Sequence, residues 1–363
     1  MKPIKFVSAG EPVTALIALT EMFAGKLAVQ IVEPHTSHGE ESVGDDVGLV
    51  VFSSGSTGTP KRIELSVEAL KTSADLSAER LGGHGQWLSC LPLEYIAGIQ
   101  VLVRSVVAET QPIIMNTAVG FTSEGFSRAA GMMTGELRYV SLVPTQFDLL
   151  LAAAKHDDHV LRMLQRFNAI LLGGQMPRLE SLELAISLNL NIVVTYGMAE
   201  TAGGVVYNGI PLDGVTVFLN EDGLISIDSP TLANNCARPF QTSDIGAWLN
   251  GQLVIAGRAD RVINSGGVKV SLERVEAWAL AQPGVIEAAA VEVDHEKFGQ
   301  SFTCFLMMEN GFEFDSTHAA ANLGLAAKSG SWKQSETIPK LASGKPDLQF
   351  LSVLANQFGE DLG

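Results

Sequence analysis

The strongest chemical signal in this chain is the run Ser53-Ser54-Gly55-Ser56-Thr57-Gly58-Thr59-Pro60-Lys61. Gly, Ser and Thr together offer backbone N–H groups and hydroxyls that can wrap a polyphosphate, and Lys61 closes the run with a positive charge. It is not a Walker loop, which ends Gly-Lys-Ser/Thr. Here Lys61 stands between Pro60, which has no N–H to give a phosphate, and Arg62. A flexible polar surface loop is the bland alternative. The position of the run argues against it: strand-like Gly48–Phe52 precedes it, and a helix-like segment from about Ser66 to Arg80 follows.

Four further stretches contain groups able to act on a nucleotide. Thr195-Tyr196-Gly197-Met198-Ala199-Glu200-Thr201 places an aromatic ring, a glycine and a carboxylate directly after a strand. Tyr196 can stack on a base, and Glu200 can hold Mg²⁺ near phosphates. A buried tyrosine and a capping glutamate would explain the same residues almost as well. In Thr242-Ser243-Asp244, heading a strand, the carboxylate can accept from two ribose hydroxyls, or Ser-Asp is simply a turn. Gly257-Arg258-Ala259-Asp260-Arg261 followed by Asn264-Ser265-Gly266-Gly267-Val268-Lys269 fits a hinge and then a loop of close backbone approach; a plain linker with a hairpin turn reads the same way. Near the C-terminus, Ile338-Pro339-Lys340-Leu341-Ala342-Ser343-Gly344-Lys345 offers Lys345 as a point charge on a second domain, or as a surface lysine. His156-Asp157-Asp158-His159 mimics a metal site but follows an Ala-rich helix, and is read as a polar helix end.

The elements that must position these groups alternate through the middle of the chain. Trp87–Leu91, Pro112–Met115, Leu137–Leu142, Ala169–Leu172 and Ile192–Tyr196 read as strands. Ile96–Val107, Phe126–Met133, Pro144–Lys155 and Leu179–Leu188 read as helices between them. Such βα repeats predict layered α/β structure with mostly parallel strands. From Val215 the texture becomes short strands around Asp-Gly and Asn-Gly turns, a small antiparallel β unit. Beyond Gly257 it becomes a compact α+β pattern, with a helix at Leu272–Ala281 and strands at Val285–Val293 and Phe302–Met308. The expected division is 1–257 for a large N-terminal domain and 258–363 for a small mobile α+β domain, hinged at Asp260.

The totals exclude several classes. A length of 363 residues accommodates two domains, and 46% apolar with 18% charged residues is ordinary for a globular chain. A net charge of −16 disfavours nucleic acid and anionic membrane as partners. Cys90, Cys236 and Cys304 lie far apart without a CxxC spacing, so neither a disulfide framework nor a zinc site is expected. With no signal-like N-terminus and no apolar run reaching about 18 residues, the expected location is the cytoplasm.

Taken in order, the five motifs resemble the adenylate-forming superfamily of acyl-CoA synthetases, firefly luciferases and nonribosomal-peptide adenylation domains, from about residue 46 to 348. Leu91-Pro92-Leu93-Glu94-Tyr95-Ile96-Ala97-Gly98 with its continuation to Ser105, Val143-Pro144-Thr145-Gln146, and Leu171-Leu172-Gly173-Gly174-Gln175 are most similar to the o-succinylbenzoate–CoA ligases of menaquinone biosynthesis, in a short actinobacterial form. Two departures stand out. Tyr95 occupies a place where those ligases typically have His, and the N-terminal domain is expected to be trimmed at its start.

The resemblance implies ATP, Mg²⁺ and CoA as reactants or cofactor, and an acyl-adenylate intermediate. It assigns Ser53, Ser54, Gly55, Ser56, Thr57, Gly58, Thr59 and Lys61 to the phosphates. Tyr196, Gly197, Thr201, Asp244 and Arg258 go to the nucleoside, Glu200 to the metal, and Lys345 to the reacting carboxylate and phosphate. Asp260 becomes a hinge, and Gly266, Gly267 and Lys269 face pantetheine. Tyr95, Arg104, Gly173 and Gly174 are expected to line the acyl pocket, with Arg104 taking the second carboxylate of an aryl dicarboxylic acid or else making a surface ion pair. Another aryl- or acyl-CoA synthetase, or an enzyme loading a carrier protein, stays open. A non-catalytic nucleotide-binding regulator is disfavoured because Lys61, Glu200, Asp244 and Lys345 are all intact.

Overall fold

The alternating strands and helices assemble as the periodicity predicts. In the computed structural model, residues 1–33, 41–53, 61–117, 120–324, 329–341 and 345–359 are described. Ser54, Gly55, Ser56, Thr57, Gly58, Thr59 and Pro60 lie outside them. The chain divides into two compact units. The first comprises Met1–Phe218, Ser226–Gln241 and Trp248–Val254; the second comprises Leu219–Ile225, Thr242–Ala247 and Ile255–Gly363. The second unit thus takes two segments of the small β region in addition to the C-terminal stretch.

The first unit contains two sheets. One has the order Ser42–Val43, Lys2–Ser8, Ala28–Val32, Val47–Ser53, Lys61–Ser66. Its central strands pair in parallel, and Val47–Ser53 pairs antiparallel with Lys61–Ser66, Ser53 opposite Lys61. From sequence the Ser/Thr-rich run leads directly into a helix; the structure places this last strand between them. Its signal was the alternation in Lys61-Arg62-Ile63-Glu64-Leu65, where Ile63 and Leu65 are fully buried. Ser66 then N-caps the helix Val67–Leu81, its Oγ accepting from Ala69 N at 3.0 Å, and Gly82 ends that helix at φ 93°.

The other sheet has the order Ile210–Pro211, Gly203–Tyr207, Ile192–Met198, Ala169–Leu172, Arg138–Leu142, Gln86–Ser89, Ile113–Ile114. From Ile192–Met198 to Ile113–Ile114 every pairing is parallel. Helices Ser123–Gly131, Pro144–Ala154 and Asp158–Gln165 pack Phe126, Phe147, Leu150 and Leu164 with Leu142 and Leu172 in one apolar cluster. Asp157 caps the last of these helices by accepting from His159 N at 2.8 Å, so the His/Asp cluster lies at a helix end. Because the strands are parallel, their C-terminal ends fall along one edge, where ligands of open α/β sheets bind.

A four-stranded sheet, Thr216–Leu219, Leu224–Asp228, Phe240–Leu249, Gln252–Arg258, is the predicted small β region, with strands longer than the sequence suggests. In the second unit, Gly299–Met308 and Val285–His295 form a long hairpin with both faces covered. Helix Leu272–Leu280 covers Ala290, Phe302, Cys304 and Leu306; helix Leu348–Gly359 covers Ala289, Val291 and Phe305. Among the described residues, no helix is long and apolar enough to cross a membrane.

Candidate active site

The C-terminal edge of the parallel sheet collects four of the singled-out segments. After Gln86–Ser89 the chain turns through Leu91–Pro92 into helix Ile96–Val107, with half-buried Tyr95 as its N-cap residue. Gly98 is required in that helix: a Cβ there would meet Pro92 O at 2.1 Å, so the loop carrying Tyr95 is pressed against the first helical turn. Gln146, in the helix after Arg138–Leu142, bridges neighbouring strand ends. Its Oε1 accepts from Val143 N at 3.2 Å and its Nε2 donates to Cys90 O at 3.4 Å. Gly173 and Gly174 follow Ala169–Leu172. A Cβ on Gly173 would lie 2.7 Å from Thr195 Oγ1, and Gly174 has φ +84°.

The fourth segment bears the carboxylate. Tyr196, Gly197 and Met198 are inside the strand rather than after it, and Ala199–Thr201 is a 3₁₀ turn that returns the chain antiparallel at Gly203. Gly197 permits this close return, since a Cβ there would meet Gly203 O at 2.0 Å. Thr201 is fully buried; its Oγ1 accepts from Met198 N at 3.0 Å and donates to Gly203 O at 2.7 Å. Ala233 N donates to Glu200 O at 2.8 Å, and Thr231 Oγ1 to Thr201 O at 2.9 Å. Glu200 is therefore aimed by its backbone. Its Oε1 lies 3.9 Å from Lys61 Nζ, and that ammonium stands 5.4 Å from the Phe240 ring. The strand bearing Lys61 is held along its edge by Asn234 and Asn235, through Asn234 N to Glu64 O at 2.8 Å and Asn235 Nδ2 to Arg62 O at 2.9 Å. Thus Lys61 and Glu200, far apart in sequence, are neighbours. Thr231, Asn234, Asn235 and Phe240 had no sequence signal, because each acts through a long-range contact.

Arg104 does not make the surface ion pair that was one of its two expected roles. It is buried in the last turn of its helix, its guanidinium carbon 4.8 Å from the Trp87 ring centroid and Nη2 donating to Tyr207 Oη at 3.3 Å. Nε has no partner and no carboxylate pairs with the side chain among the described residues. The surface ion pair is thus corrected: Ile99, Val101, Leu102 and Val103, preceding Arg104, draw this helix into the core. A buried cation without an anion suits an anionic ligand group.

In the second unit a charged cluster surrounds the chain's exit from Gln252–Arg258. Arg258 forks onto Asp260, Nε to Oδ1 at 2.9 Å and Nη2 to Oδ2 at 2.6 Å, while Nη1 reaches Asp244 Oδ1 at 3.3 Å. Asp244 is 9% exposed and lies within strand Phe240–Leu249 rather than at its head. Glu273 Oε2 accepts from Arg258 N at 2.7 Å, and Gly257 at φ +136° leaves room for that carboxylate. Lys345 is exposed as a residue, yet burial of its amine and then the positive charge of Arg258 push its pKa below the ordinary lysine value, while Asp244 pulls it up. Gly266 and Gly267, at φ +60° and +87°, form the tight turn between Val262–Ser265 and Val268–Ser271, with Lys269 exposed opposite Asn264.

No thiol is poised to act as a nucleophile. Burial pushes Cys90 up to about 12 and raises Cys304 and Cys236 as well. The donors suit Mg²⁺, which takes one or two carboxylates plus phosphate and water oxygens. Glu200 is such a carboxylate, and no group of three or more His, Cys, Asp or Glu side chains able to cage a metal occurs among the described residues.

The pattern of the AMP-binding enzyme family matches residues 7–230, and the chain belongs to that family. Among its relatives, a protein of Mycobacterium tuberculosis named "Probable 2-succinylbenzoate–CoA ligase" is 33% identical over 94% of this chain and 95% of its own length. The 2-succinylbenzoate–CoA ligase of Escherichia coli is 29% identical over 69% of this chain and 56% of its own length. Bacillus subtilis o-succinylbenzoate CoA synthetase in complex with its acyl-adenylate intermediate superposes with a TM-score of 0.72 at 19% identity, covering 93% of this chain and 80% of that one. An amide bond synthetase from Marinactinospora thermotolerans gives the same TM-score, 0.72, at 19% identity over 96% and 79% of the two chains. The fold is therefore that of adenylate-forming enzymes, as the motifs predicted, and by itself it is shared by enzymes with different acyl acceptors.

Proposed function

We propose that this protein is an ATP-dependent, AMP-forming 2-succinylbenzoate–CoA ligase of menaquinone biosynthesis, acting in the cytoplasm. The similarity to the mycobacterial ligase over 94% of the chain supports the substrate, and one observation carries it further: a buried Arg104 with no carboxylate partner among the described residues, on the helix that has Tyr95 at its N-cap. A substrate with two carboxylates needs one activated and one held, and Arg104 holds the second. Tyr95 keeps an aromatic wall with a hydroxyl at the helix start, and Gly173 and Gly174 let a flat ring lie against backbone.

The acid's other carboxylate attacks the α-phosphorus of ATP, pyrophosphate leaves, and an acyl-adenylate forms; the CoA thiolate then attacks the activated carbonyl and AMP leaves. The protein contributes positioning and charge. Lys61, with Ser53 through Thr59, holds the departing pyrophosphate. Tyr196, Gly197 and Thr201 serve the nucleoside, and Asp244 with Arg258 the ribose. Lys345 neutralises charge between the reacting carboxylate and phosphate. Glu200 holds Mg²⁺, which when bound offsets phosphate charge. Asp260 is the hinge between residues 1–257 and 258–363, and Gly266, Gly267 and Lys269 form the face for pantetheine.

The test is pyrophosphate release with Mg-ATP, CoA and a panel of o-succinylbenzoate, benzoate, 4-hydroxybenzoate and octanoate, products identified by mass. The expected product is the CoA thioester of o-succinylbenzoate. Preference for a monocarboxylic acid would remove the pathway and the role of Arg104 together, while keeping the adenylation chemistry.

A further inference from the structure

The turn that aims Glu200 contains a conformation its sequence does not favour. Ala202, directly after it, sits in the left-handed region at φ 52°, ψ 36°, where a Cβ crowds the backbone. Its carbonyl accepts from two buried side chains on separate helices, Ser73 Oγ at 2.9 Å and Gln100 Nε2 at 2.6 Å. Gln100 is 1% exposed, and its Oε1 has no hydrogen-bond partner among the described residues. Reversing the amide would set that oxygen against the Ala202 carbonyl, so the donor orientation is fixed. A buried unmet acceptor lowers stability, and an apolar side chain of similar shape would pack here without that penalty. Gln100 therefore serves the turn at the expense of the core.

We propose that Gln100 is a positioning residue for the metal-binding step. Through the Ala202 carbonyl it holds the Glu200 turn in the orientation that presents the carboxylate to a phosphate-bound divalent cation. It does so from helix Ile96–Val107, which has Tyr95 at its N-cap and Arg104 in its last turn, so one rigid element joins the proposed acid-binding groups to the proposed cation-binding turn. This rests on the ligase reading above.

The decisive variant is Gln100→Met, which keeps length and shape but deletes both the donor and the unmet oxygen. Three quantities are measured: affinity of the acid-free protein for Mn²⁺·ATP by water-proton relaxation, KM for Mg-ATP against KM for the acid, and melting temperature. Loss of one buried hydrogen bond to the turn is expected to weaken Mn²⁺·ATP binding and raise KM for Mg-ATP about tenfold, leaving KM for the acid within about twofold. Melting temperature is unchanged or higher, which a merely structural glutamine would not produce. Adding Ala202→Gly to Gln100→Met relieves the left-handed strain and restores most of the Mn²⁺·ATP affinity. Unaltered Mn²⁺·ATP binding, or a lowered melting temperature with both KM values rising together, overturns the proposal. A wild-type protein that forms no CoA thioester counts instead against the ligase reading, and is seen before any variant is made.

Discussion

The Glu200 turn and the segment Gly257–Arg261 both carry charged groups at the end of a strand, yet they are held by opposite means. Around Glu200 the anchors are buried and short: Thr201 Oγ1 to Gly203 O at 2.7 Å, Ala233 N to Glu200 O at 2.8 Å, Gln100 Nε2 to Ala202 O at 2.6 Å. Around Asp260 they are side-chain charges, Arg258 spanning Asp260 and Asp244, and no residue of the turn Ala259–Arg261 is buried. Buried hydrogen bonds are lost only at the full cost of desolvated groups left unmet. Partly exposed ion pairs exchange for water at about 0–1 kcal/mol each. A group proposed to stay close to a phosphate is built the first way. A segment proposed to rotate is built the second way.

Predictions that break or sharpen this contrast run from the chemistry outward. Lys345→Ala is expected to lower pyrophosphate release by roughly 10²–10³-fold, while CoA attack on pre-made acyl-adenylate changes by only a few-fold. Equal loss in both half-reactions would remove Lys345 from the first step. Since burial and the Arg258 charge lower its pKa, the amine is protonated below that pKa and neutral above it. Adenylation should therefore fall on an alkaline limb centred below the ordinary value of 10.5, and Lys345→Arg should move the limb upward. A pH profile of kcat/KM for ATP decides this; a limb unmoved by Arg belongs to another group.

Next in size, Arg104→Ala should raise KM for the dicarboxylic acid about tenfold with KM for ATP unchanged, in line with loss of one charge-assisted contact. Steady-state kinetics with each substrate varied in turn show it, and an unaltered acid KM takes Arg104 out of the pocket. The smallest effects are on stability and contrast the two regions directly. Thr201→Val strands the Met198 N–H and Gly203 carbonyl in a buried turn and should cost about 1–3 kcal/mol; Asp260→Asn should stay within about 0.5 kcal/mol. Denaturant melts of the pair that came out equal would falsify the contrast itself.

Much of the first unit was legible in sequence. The strand Ala169–Leu172 and the helix Ile96–Val107 have the predicted bounds, since continuous apolar runs and an i, i+4 apolar stripe state their periods locally. The motif residues could be singled out by type and order, although each stretch alone also had a purely structural reading. The strand Lys61–Ser66 escaped notice, being short and next to a run that reads as a loop. Roles such as those of Asn235, Thr231 and Glu273 were also beyond reach: each is an ordinary polar residue whose partner lies far away in the chain or is a backbone atom.

By itself the sequence determined the class of chemistry. It states which groups exist, in what order, and with what local structure, and those depend only on residue type and short-range periodicity. Tertiary structure alone decided that Lys61 meets Glu200, that Arg104 is buried on Trp87 rather than exposed, and that a strained Ala202 is held by two helices. These depend on parallel strand pairing and on which helix face turns into the core. Such choices are made by the whole packed molecule, because only there does burying a polar group cost enough to fix where it points.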